Sequence, residues 1–131
     1  MALIIGALLA LAVGVFATTV GLARERAFYP VVTIVVAHYY ALFAVMGAST
    51  GTLITESLVA VVFISLAAIG FRSSPWIVMA ALAGHGIFDM GHGLLISNPG
   101  MPHYWPDFCA TFDVVLGGIM AWQIKAGKIH W

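Results

Sequence analysis

The sequence predicts an all-α fold: a polytopic membrane bundle of five transmembrane helices, with the N-terminus outside and the C-terminus in the cytoplasm. Three observations predict it. Apolar residues make up 63% of the 131 positions and charged residues 8%, against roughly 45–50% and 25% in soluble domains. So few charges cannot cover a water-exposed surface, and the lipid bilayer is the expected partner of most of this one. The apolar residues fall into five runs, each near the roughly 20 residues needed to cross about 30 Å of hydrocarbon. If all five cross, Arg24, Arg26, Arg72, Lys125 and Lys128 share one side and no lysine or arginine falls on the other. By the positive-inside rule that side is cytoplasmic.

The chain is long enough for one domain, 1–131, and no more. Its formal net charge of zero offers no basic surface to nucleic acid. A single cysteine, Cys109, excludes an internal disulfide. The first run, 2–22, lacks a basic leader and a small-x-small cleavage site, and is expected to be a retained span rather than a signal peptide. It carries Gly6, Ala10, Gly14 and Thr18 at four-residue spacing, a face for close helix contact within the bundle or between copies. The second run, 28–48, contains His38, Tyr39 and Tyr40; the third, 52–70, has Glu56 near its start. Ser74-Pro75 reads as an N-cap followed by proline in the first helical position, and opens the fourth run, 75–96. Asn98-Pro99-Gly100 ends it in a tight turn. Tyr104 and Trp105 in the following loop suit a membrane–water boundary, and His103 beside them is expected to be solvated. The fifth run, 107–124, opens on Asp107 as a cap and carries Cys109 and Asp113.

The fourth run holds the strongest chemical signal. His85, Asp89 and His92 stand at i, i+4 and i+7, a stripe about 60° wide on a helix. Gly86 and Gly93 flank the stripe on one side, Gly84 and Gly91 on the other, so neighbouring helices are expected to approach closely on both. At 1.5 Å per residue, Glu56, Asp89, His92 and Asp113 share a layer in the outer half of the bilayer, with His38 and His85 beneath it. Ionisable groups at such depth cost several kcal/mol unless paired, and face a bundle interior or a wet cavity.

Several chemistries suit that cluster. Imidazole and carboxylate donors from His85, Asp89, His92, Glu56 and Asp113 fit a divalent metal such as zinc, iron or manganese. If such a centre is catalytic, it is a metal-dependent, membrane-embedded hydrolase. Glu56 and Asp113 then serve as general acid and base, and a metal-activated water attacks an amphipathic or lipid-like substrate. The same groups, titrating in turn, would make a proton- or ion-handling transport component. The bland alternative is a hydrogen-bonded network that fixes helix register, in which Glu56 merely complements its helix dipole. His38 and His85, at matching depth on different helices, are the candidate axial ligands of a b-type haem. Cys109, Asp113 and Met120 on one face offer softer donors to copper. Tyr40 is expected to pack and hydrogen-bond. The glycine faces would also serve a homo-oligomer or a larger membrane complex, in which this chain is an accessory subunit.

The run H-G-x-x-D-x-x-H-G from His85, followed by N-P-G-x-P-x-x-W-P-x-F-C-x-x-x-D ending at Asp113, covers part of the last third of the chain. It resembles a group of small uncharacterised bacterial integral membrane proteins with five helices and no assigned activity. The resemblance implies a multi-pass protein of the bacterial inner membrane and assigns no role to any residue. The seven-helix ceramidase-type hydrolases also hold zinc with intramembrane histidine and aspartate. This chain is two helices short of that pattern, and the likeness is one of site chemistry alone.

Overall fold

The computed structural model describes residues 1–131 and is all-α. Five long helices follow one another: α1 (Ala2–Val20), α2 (Phe28–Gly47), α3 (Thr50–Ser73), α4 (Pro75–Leu95) and α5 (Trp105–Lys125). A 3₁₀ turn, Leu22–Arg24, joins the first two. Helices α1, α2, α3 and α5 are each long and apolar enough to cross a membrane. Helix α4 has 21 residues but is not among them, because His85, Asp89, His92 and four glycines dilute its apolar content.

Local chemistry sets the helix ends. Gly21 adopts φ 90° and stops α1 at Val20, two residues short of the expected end. The Ser49 hydroxyl accepts a hydrogen bond from the Thr52 N–H at 3.1 Å and starts α3 earlier than its apolar run does. The Ser74 hydroxyl caps α4 by accepting from the Trp76 N–H, with Pro75 behind it as the spacing predicts. Asp107 does not cap α5: the helix begins at Trp105 and places Asp107 in its first turn, where a carboxylate complements the dipole.

The helices pack in the order α1, α5, α4, α3, α2, and α2 reaches back to touch α4. Small residues set the spacing between α1 and α5. Gly6, Ala10, Gly14 and Ala17 are buried, and a Cβ on Gly6 would collide with the Phe108 carbonyl. Thr18 falls at the edge of this face: it is exposed, though its hydroxyl still accepts a hydrogen bond from Gln123 of α5. Each four-residue step advances about 40° around the helix, so the fourth member has rotated away and Ala17 replaces it.

Expectation and structure differ on the α4 glycines. A Cβ on Gly86 would meet the Ala110 carbonyl at 2.9 Å, whereas Gly84, Gly91 and Gly93 have no neighbour within 4 Å. Of the four α4 glycines only Gly86 serves a close contact, with α5, while the close approach of α3 is made by Gly70 against the Val78 backbone. Beneath the polar residues lies an apolar core in which Val78 and Leu82 of α4 pack with Leu116 and Met120 of α5 and Tyr29 of α2.

Candidate functional site: a buried His/Asp/Glu network

The ionisable residues of the interior form two tiers. In the deeper tier His85 Nδ1 donates to Asp113 Oδ2 at 2.8 Å and lies 3.5 Å from Asp89 Oδ2. His85 and Asp89 are one turn apart on α4, and Asp113 crosses from α5. The close approach at Gly86, where a Cβ would sit 3.0 Å from that of Asp113, allows this reach. His85, Asp89 and Asp113 each bring one donor atom within 4.8 Å of the other two.

The outer tier pairs His92 with Glu56. His92 Nε2 lies 3.0 and 2.8 Å from the two carboxylate oxygens, and the Asn98 amide donates to Glu56 Oε2 at 2.7 Å. The same amide donates to the Tyr40 carbonyl, while Asn98 Oδ1 accepts from the Gly100 N–H. The N-P-G turn thus folds over the network as a lid. Gly100 makes this possible, since any Cβ there would strike the Phe43 carbonyl of α2.

Tyr40 joins the tiers. Its hydroxyl donates to Asp89 Oδ1 at 2.6 Å, and its ring stacks on His92 with centroids 3.8 Å apart and planes 10° from parallel. Phe63 meets the His85 ring edge-on at 4.7 Å and Phe88 does the same to His92. These aromatics wall the polar groups off, and Glu56, His85, Asp89, His92 and Asp113 are each at most 2% exposed.

The five donors expected around one centre are therefore divided, with His92 and Glu56 forming their own pair. Helix ends explain the division. Because α5 starts at Trp105, Asp113 lies about 12 Å below that end rather than about 9 Å, level with His85 and Asp89. His38 joins neither tier: it is exposed, and its Nδ1 donates to the Ile34 carbonyl of its own helix. The two candidate haem ligands thus occupy different environments, and no bis-histidine pair forms. Met120 lies in the apolar core, away from the softer donor set imagined with Cys109 and Asp113. Asn98 was legible only as a turn residue, and its hold on Glu56 has no signal in the sequence beyond its place just after the α4 helix.

Comparison with known protein families, curated proteins and solved structures gave no match. Function must therefore be read from the site itself.

Three polar atoms in the network make no hydrogen bond: Asp89 Oδ2, whose contact with His85 Nδ1 is 3.5 Å long, Asp113 Oδ1 and His92 Nδ1. Two belong to the deeper tier. Buried carboxylate oxygens without donors are costly, and no lysine or arginine is buried anywhere in the bundle. Three carboxylates therefore face two imidazoles as their only cationic partners. No other cationic side chain reaches the three.

Proposed function

We propose that this chain is a five-span membrane protein holding a divalent cation at His85, Asp89 and Asp113. The observation that carries the reading is the pair of oxygens without a hydrogen bond, Asp89 Oδ2 and Asp113 Oδ1, in a tier that sets two carboxyl groups against one imidazole. A cation supplies the missing charge and the missing contacts together. Donors around a tetrahedral ion with bonds of about 2.1 Å lie about 3.4 Å apart; His85 Nδ1 stands 3.5 Å from Asp89 Oδ2, and its 2.8 Å hydrogen bond to Asp113 Oδ2 has to open by about 0.6 Å to admit an ion. Imidazole with carboxylate suits zinc, iron or manganese. Binding requires the proton on His85 Nδ1 to leave, to Nε2 if the ring is neutral and to solvent if it is an imidazolium.

The outward residues of α4 support a fifth span. Ile87, Met90, Leu94 and Leu95 are exposed, while the polar side chains of that helix point inward, so lipid meets only apolar surface. With five spans the basic end faces the cytoplasm and the Asn98 turn faces out. Hydrolysis of a lipid-like substrate is the catalytic form of this reading. An apolar groove of about 410 Å³ between α2 and α5 has Cys109, one turn from Asp113, in its wall; an acyl chain would lie there, separated from the three ligands by that wall.

Elemental analysis of gently purified protein tests the reading. It predicts about one equivalent of a divalent transition metal, lost in Asp113→Asn and in His85→Ala. A folded wild-type protein free of metal, with no uptake on titration, would overturn it. One observation favours a second reading, proton relay: polar contacts link Asp113, His85, Asp89 and Tyr40 and separately His92 and Glu56, and a water would have to bridge the Tyr40–His92 ring stack between them. Proton flux in liposomes that disappears in Tyr40→Phe would decide for relay.

A further inference from the structure

A second polar site lies at the opposite, basic end of the bundle. A cavity of about 380 Å³ there is lined by Arg24, Lys128 and His130 together with Thr18 and Gln123, and by no carboxylate. Two turns build it. Gly21 at φ 90° and Gly127 at φ 68° are the only residues of the chain with positive φ, a conformation that favours glycine. Gly21 swings Arg24 off the end of α1. Gly127 folds the C-terminal segment back, so that the Lys128 N–H donates to the Gln123 carbonyl and the His130 N–H to the Arg24 carbonyl, each at 2.9 Å. The cationic side chains thereby share one rim.

The floor is fixed from below. Gln123 is 2% exposed; its oxygen accepts from the Tyr29 hydroxyl and its amide donates to Thr18 Oγ1 at 2.9 Å. One amide hydrogen is left over. Thr18 and Gln123 also line a second hollow, a groove of about 330 Å³ between α1 and α5 that includes Leu11, Val15, Ile119 and Trp122. Lys128 Nζ sits 4.7 Å over the Trp122 ring, at the junction of cavity and groove. A cationic, donor-rich pocket thus opens into an apolar channel running toward the middle of the helices.

We infer that this end binds an anionic phospholipid. Arg24 and Lys128 hold the phosphate, with Gln123 donating from the floor, and one acyl chain lies in the α1/α5 groove. Arginine and lysine are the side chains suited to phosphate, and the ends of α1 and α5 place the pocket where spans leave the hydrocarbon. The inference rests on the membrane reading but not on the ion centre, and a metal-free protein that still retains lipid separates the two.

Native mass spectrometry of the detergent-purified full chain tests it, with phosphatidylglycerol, phosphatidylcholine and inorganic phosphate as probes. One phosphatidylglycerol retained per chain is expected, at least tenfold tighter than phosphatidylcholine. The exposed pair Arg24→Gln with Lys128→Gln should reduce retention about tenfold, and Val15→Trp, which fills the groove, should weaken the lipid but not inorganic phosphate. Helix content and melting temperature of these surface variants should match the parent. Equal retention of the two lipids, indifference to the Arg24 and Lys128 changes, or a groove substitution without effect would each overturn the assignment. So would tight inorganic phosphate with no lipid preference.

Discussion

The Tyr40 hydroxyl is the only side-chain donor besides His85 that reaches either aspartate of the deeper tier, and its ring is the wall against which His92 rests. Tyr40→Phe keeps the wall and removes the donor. A loss of about 1–2 kcal/mol in reversible denaturation in detergent is expected, from the hydrogen bond and the stranded Asp89 oxygen. Asn98 gives a sharper test, because its amide serves Glu56 and the Tyr40 carbonyl at once. Asn98→Ala should destabilise, and Asn98→Asp should destabilise more, since it sets a second carboxylate against Glu56 in a dry site. A melting temperature for Asn98→Asp above that of Asn98→Ala would show that this site accommodates a second carboxyl group beside Glu56.

At the scale of the helices, small residues decide which faces meet. Gly6→Val pushes a side chain into the Phe108 carbonyl and should cost about 1–3 kcal/mol by wedging α1 from α5. Gly91 has open space around it, so Gly91→Ala should stabilise α4 by up to about 1 kcal/mol through helix propensity alone. Thermal unfolding in detergent checks both signs. A destabilised Gly91→Ala would reveal a partner on that open flank. The four-residue spacing in α1 was readable because close helix contact demands small side chains. The flanking glycines of α4 misled for a physical reason: absence of a side chain permits approach without compelling it. Asp113 lies deeper than its sequence position predicts because Trp105 and Pro106 start α5 a half-turn before Asp107.

Across the whole molecule, an interior that gathers histidine, aspartate and glutamate from α3, α4 and α5 was foreseeable from composition and spacing, since such groups cannot face lipid. Their division into two tiers was not, because tier membership depends on helix starts and on the Asn98 turn. The proposed five-span topology is checked by labelling with a membrane-impermeant maleimide. In a Cys109→Ala background, Ser49→Cys should label from outside intact cells and Ser73→Cys only after permeabilisation. The reverse pattern would invert the bundle, and labelling of both from outside would remove a span.

The ion centre is the central claim, and X-ray absorption at the edge of the bound metal probes it most directly. The account predicts a shell of one imidazole nitrogen with carboxylate oxygens at about 2.0–2.2 Å, losing its imidazole signature in His85→Ala and unchanged in His38→Ala. A shell made of water alone, or an imidazole signature that survives His85→Ala, would contradict it.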